Sequence, residues 1–344
     1  MDRIVSIALL RSLAVGAVGG GAFQLTGLPL AWMLGPLVAN LVVSARGVDV
    51  RVPERFRQVF LGMLGLVLGS QVTPQLAHRM LDWPVSAGLL LVGVALSTSL
   101  AAAWYRRCGF DPVSAWFASA PGAMTAMILL GDKVGGDPQR IAIAQSLRVV
   151  MVILLLPPLF WIFEDAGTSA MAARGGSAQD LWLLLTLPLA IPLGRLLRLP
   201  TPALLAPLLL AAAFGVAGLG NLNLPSWAMN GMLWVLGSSI GARFKGLTGK
   251  RLGRYALQAG VATALALAVL GIFAELIHRA VDVPLDVALL ALAPGGIGEM
   301  AIVAVALGLD PVFVAFHHLL RMVALMIVAP FWAKHLKRRS RNLL

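Results

Sequence analysis

The chain has 344 residues, 59% of them hydrophobic and 12% charged, with a mean hydropathy of +0.87. A chain of this size cannot cover so many all-apolar segments with its own polar surface, which excludes a water-soluble fold and indicates a polytopic integral membrane protein. The formal charge of +12 lies in short loops, where it reads as a topology signal rather than a nucleic-acid face, and the single cysteine, Cys108, excludes an intramolecular disulfide.

In chain order, the basic start with its apolar run is interrupted by Arg11 and lacks a small-residue cleavage site, so it reads as a retained first span. Apolar segments follow at about 4–25, 28–45, 56–73, 83–105, 111–134 and 138–162. A polar stretch, "EDAGTSAMAARGGSAQD", separates them from six more at about 180–197, 200–219, 226–243, 255–278, 284–307 and 311–333.

The second six repeat the first. Residues 120–157 align without a gap on residues 293–330, with 12 of 38 positions identical, including Ala-Pro-Gly, Asp-Pro, Leu-Arg and a final proline at one offset of 173. Residues 28–37 match 199–208, and 61–72 match 233–244, at nearly the same offset. The predicted organisation is a first repeat over 1–165, an extracytoplasmic linker over 166–177, and a second repeat over 178–344 with a basic tail.

Counting Lys and Arg decides whether the fifth segment of each half crosses. With twelve crossings the two faces carry 14 and 10 positive residues, and neither is cytoplasmic. If both Ala-Pro-Gly segments enter and return on one face, the count becomes 21 against 3, with Arg79, Arg174 and Arg279 alone outside. The predicted fold is therefore all-α, with two inverted repeats, each of five transmembrane helices plus one re-entrant hairpin. Both termini face the cytoplasm. Legs of about 16 Å place each hairpin tip near the middle of a core about 30 Å thick.

Irregular backbone at that depth must be buried or line a cavity, and the leg after each tip aims unpaired N–H groups and a partial positive charge at the midplane. The candidate substrate-binding residues are therefore Pro121, Gly122, Ala123, Met124 and Thr125 at the first tip, and Pro294, Gly295, Gly296, Gly298, Glu299 and Met300 at the second. Arg148 and Arg321 sit at equivalent mid-span places, where each either bridges hairpin carbonyls or clamps a substrate anion. Glu299 pairs with Arg321, binds a coupling cation or carries a proton; the sequence leaves all three open. Gln145 and His318, at matched positions, are further candidate substrate-binding residues, and His318 is also a candidate proton relay, while Asp137 and Asp310 before prolines read as helix N-caps.

The duplicated Ala-Pro-Gly hairpin, followed by Gly-x-Asp-Pro and a (Gln/His)-x-Leu-Arg span, resembles the AbrB-type membrane protein family of Gram-negative bacteria. Its members carry the labels ammonia monooxygenase or regulator. The resemblance covers nearly the whole chain. The first half departs from the second in Ala123 and Thr125, which replace glycines, and it has no equivalent of Glu299. A metal oxygenase needs clustered ligands, yet of His78, His278, His317, His318 and His335 only one adjacent pair shares a span, so no enzyme or resident metal is expected. A DNA-binding module has no room outside the membrane segments.

The expected function is a secondary transporter of a small organic anion in the bacterial inner membrane, with Na+ or H+ as coupling ion and no other cofactor. Its partners are the lipid bilayer and the substrate, with a homodimer left open. By analogy with other hairpin-bearing transporters, the third and fourth segments, hairpin and final span of each half form the moving unit, and the first two the scaffold. A membrane-embedded sensor acting indirectly on gene expression is the alternative, and a channel the third option.

Overall fold

The computed structural model describes residues 3–28, 30–72, 83–122, 124–163, 180–220, 222–244 and 249–341. The expected linker 166–177, with Arg174, and the residues His78, Arg79, Ala123 and Lys245 lie outside the described residues. Among the described residues the secondary structure is helical: α1 (Arg3–Leu25), α2 (Ala31–Ala45), α3 (Glu54–Gly69), α4 (Trp83–Arg107), α5 (Pro112–Ser119), α6 (Met124–Lys133) and α7 (Pro138–Phe163) make the first half. The second half has a 3-10 turn Leu181–Thr186, then α8 (Leu187–Leu196), α9 (Pro202–Val216), α10 (Ser226–Gly241), α11 (Gly249–Val281), α12 (Leu285–Leu292), α13 (Ile297–Leu307) and α14 (Pro311–Arg341).

Among the described residues, five helical stretches are long and apolar enough to cross a membrane: Ser6–Leu25, Trp83–Arg107, Pro138–Phe160, Gly253–Val281 and Pro311–Lys334. That is compatible with a membrane protein. The other segments expected to cross are shorter: α2 and α9 have 15 residues and α3 and α10 have 16, about 22–24 Å at 1.5 Å per residue, while the segment at 180–197 is a six-residue 3-10 turn followed by the ten-residue α8.

The chain divides into two compact units, each drawing on both halves. The first holds residues 1–81, 154–249 and 301–312, and the second holds 82–153, 250–300 and 313–344. In the first unit the repeats exchange partners. Gly65 and Gly69 of α3 lie so close to α9 that an added methyl would collide with the carbonyl oxygens of Leu204 and Leu208. Gly237 and Gly241 of α10 stand in the same relation to the carbonyls of Met33 and Leu37 in α2. Each pair is the other's counterpart in the sequence alignment, and only glycine lets helix backbones approach this closely.

These contacts correct one expectation. The third segments, α3 and α10, belong with the first two segments of each half and not with the fourth, because their glycine faces are committed to α9 and α2.

In the second unit α4 and α11 are tied by Trp104 Nε1, which donates to the Gln258 carbonyl at 3.0 Å. Ala101, Tyr105, Phe110, Ala115, Ala118, Ala144 and Ala262 form a core in which small residues let α5 and α7 lie close. Trp83 packs edge-on against Phe313 at the start of α14.

Candidate functional site

Two helix–break–helix segments, one in each half of the chain, are built by the same local rules. In the first, Asp111 caps α5 by accepting from Ser114 N at 2.8 Å, with Pro112 at the first helical position, where its missing N–H costs nothing. The α5 helix ends as Ala120 turns extended, and Gly122 N donates to Ala120 O at 2.9 Å, a three-residue turn centred on Pro121. In the second, α12 ends as Ala293 turns extended, and Gly295 N donates to Ala293 O at 2.8 Å around Pro294.

The second legs also end alike. Gly135 and Gly308 both take a positive φ, 93° and 72°, and the next residue closes the helix through Gly136 N to Gly131 O and Leu309 N to Ala304 O. Asp137 then caps α7 by accepting from Gln139 N and Arg140 N, and Asp310 caps α14 by accepting from Val312 N, as the Asp-Pro spacing predicts. The two ends of the first segment lie together: Ser114 Oγ accepts from Asp137 N at 2.7 Å, and Arg140 donates to Gly109 O at 2.9 Å.

Both buried arginines bind the carbonyls at these breaks. Arg148, 7% exposed, donates through Nη1 to Ser119 O at 3.1 Å and Ala118 O at 3.3 Å, and through Nε to Pro294 O at 2.9 Å. Arg321, 2% exposed, donates through Nη1 to Ala293 O at 2.7 Å and through Nη2 to Gly295 O at 2.6 Å. The last carbonyls of a helix have no partner inside it and carry partial negative charge, so a guanidinium satisfies both needs. Of the two roles the sequence left open, bridging of hairpin carbonyls is the one drawn in these contacts. Two guanidiniums therefore converge on the tripeptide Ala293–Pro294–Gly295.

One turn earlier on each helix a second anchor repeats. Gln145 Nε2 donates to Phe117 O at 2.6 Å, and His318 Nε2 meets Leu290 O at 3.1 Å. His317 serves packing: its ring nitrogens meet Phe313 O and Ser86 Oγ, and Trp83 and Phe313 lie against it.

The remaining candidates are spread in burial. Pro121, Pro294, Gly295 and Gly298 are buried, Gly122 and Met124 half-buried, and Thr125 exposed. Gly122 packs under Leu325 of α14, and Met124 Sδ accepts from Ser146 Oγ at 3.6 Å. Met300 is fully buried beneath Gly295. Glu299 is half-buried at the third position of α13, from which an acid reaches back to the helix start, and its carboxylate lies over Gly296 so closely that a methyl there would collide with Oε2. What sequence reasoning missed is which carbonyls receive the guanidiniums, and the acceptor Ser114 Oγ. No residue-type motif marks a carbonyl.

Helical secondary structure with five membrane-length helices among the described residues, and two matched breaks each closed by a buried arginine, defines a duplicated protein of membrane-like composition. The chain belongs to the AbrB family: the family model described as transition state regulatory protein AbrB matches residues 32–337. It is similar to a protein of Escherichia coli (strain K12) named as a candidate regulator, AbrB, at 26% identity over 89% of this chain and 90% of the relative. It is also similar to the uncharacterized protein YhjN of Bacillus subtilis (strain 168), at 26% identity over 92% of this chain and 90% of the relative.

Proposed function

We propose that this chain is a secondary transporter that carries a small organic anion across the bacterial inner membrane, driven by Na+ or H+, and that it has no enzymatic activity. The observation that carries the reading is the convergence of two buried guanidiniums on Ala293–Pro294–Gly295. Two such charges in a low-dielectric interior favour negative charge beside the carbonyl dipoles, and the N–H groups at the starts of α6 and α13, which follow the two breaks in the chain, also favour an anion.

In this reading the two halves are inverted repeats, each with five crossings and one re-entrant hairpin, and both termini are cytoplasmic. The charge count of 21 against 3 and the partner exchange between α3–α9 and α10–α2 support it. The short helices α2, α3, α9 and α10 cross with the help of the turns that flank them. The second unit carries the substrate and the first is the scaffold.

The test is uptake of labelled carboxylates, amino acids and phosphonates into proteoliposomes under a Na+ or H+ gradient. Gradient-driven accumulation supports the proposal. Binding without accumulation overturns it in favour of a membrane-embedded sensor, a reading that fits the regulator description of the E. coli relative.

A further inference from the structure

At two matching positions a buried side chain ends in an acceptor that meets nothing. Gln145, 1% exposed, commits its amide Nε2 to Phe117 O, and its Oε1 has no hydrogen-bond partner. His318, also 1% exposed, meets Leu290 O through Nε2. A carbonyl only accepts, so Nε2 carries the proton and Nδ1 is a bare lone pair, again without a partner.

The offset of 173 maps Gln145 onto His318 and Phe117 onto Leu290. Two different residue types thus produce one arrangement, in which a donor anchors the first leg of the break and an acceptor is left over. An orphaned buried acceptor is destabilising and calls for a partner in the working state, a water or a ligand donor. Finding it twice, at equivalent positions three residues before each site arginine, ties it to the site. Arg321 adds an orphan of the opposite kind, since its Nε also lacks a partner.

The unmet set is therefore two acceptors and one cationic donor. A simple carboxylate, or a fully ionised inorganic anion such as sulfate, offers acceptors only, so it satisfies Arg321 Nε and leaves Gln145 Oε1 and His318 Nδ1 unmet. We infer that the substrate carries, beside its negative charge, O–H or N–H donors that Gln145 Oε1 and His318 Nδ1 accept, which makes it a hydroxy acid or an amino acid. This rests on the anion-site reading above and narrows it.

The test is calorimetric titration of the full-length protein in lipid nanodiscs with matched acids: lactate against propionate, malate against succinate, and aspartate against succinate. At least one donor-bearing acid binds about tenfold tighter than its donor-free partner, and the arms separate hydroxyl from ammonium recognition. In Gln145→Leu and His318→Leu that ratio falls toward one, whereas loss of anchoring alone weakens both members of a pair equally. His318→Gln, which installs the first half's residue, keeps the preference.

Equal affinities in the wild-type protein, no binding by any member, or a ratio unchanged in both leucine variants overturns the inference. If the leucine variants do not fold, the wild-type ratio decides. Preference without accumulation in vesicles sinks the transporter proposal and leaves this inference standing; equal accumulation of donor-free and donor-bearing anions does the reverse.

Discussion

Arg148 Nε donates to the Pro294 carbonyl at 2.9 Å, so an arginine from the last helix of the first half completes the break of the second. The same guanidinium holds Ser119 O and Ala118 O of the first break. One side chain thus links the two repeats at their least regular backbone.

Arg148→Met leaves three buried carbonyls short of a donor, at about 1–3 kcal/mol for each group left unmet. The melting temperature is expected to fall by roughly 5–10 °C in a detergent thermal scan. Arg148→Lys keeps the charge but not the fork that reaches both breaks, so it recovers only part of the loss. An unchanged melting temperature in Arg148→Met contradicts the bridging role.

Gly296 has no room for a methyl because Glu299 Oε2 occupies that space. Gly296→Ala therefore displaces the Glu299 side chain and destabilises the start of α13, by about 1–3 kcal/mol. In a double-mutant cycle, Glu299→Ala relieves the clash, and the Gly296→Ala penalty shrinks by more than half in that background. Strict additivity of the two changes contradicts the placement of Glu299.

The glycine contacts predict a matched pair of effects. Gly69→Ala and Gly241→Ala each push a methyl into a backbone carbonyl of the opposite half, and both lower the melting temperature by similar amounts. Gly88→Ala, where nothing lies within 4 Å, is neutral or stabilising by up to about 1 kcal/mol through helix propensity.

Cys108 follows α4 and is half-buried, and burial pushes its thiol above the ordinary value. The thiolate is the reactive form, so maleimide labelling at pH 7 is slower than for an exposed free thiol and accelerates as pH rises. An impermeant maleimide is expected to reach Cys108 from the cytoplasmic side alone. Stopped-flow labelling from pH 6 to 9 measures the profile, and a rate independent of pH contradicts it.

Much of the site was legible because its signals are local. Proline after aspartate marks the caps at Asp137 and Asp310, and Ala-Pro-Gly marks the breaks, since proline and glycine dictate backbone conformation within a residue or two. The partners of Arg148 and Arg321 were left as alternatives, because a carbonyl at a helix end belongs to every residue type. The expected grouping of α3 with α4 fails for a related reason. Gly65 and Gly69 announce a close approach, but nothing in their spacing says which helix approaches.

The central claim is that the two breaks are tips of hairpins entering from opposite faces, and single-cysteine accessibility in a Cys108→Ala background tests it most directly. Pro112→Cys, Asp132→Cys, Leu285→Cys and Leu309→Cys place one reporter at each end of the two segments. The account predicts that 112 and 132 label from the cytoplasm and that 285 and 309 label from outside. Labelling of 112 and 132 from opposite faces would contradict it, because the first segment would then cross the membrane and the repeats would not be inverted.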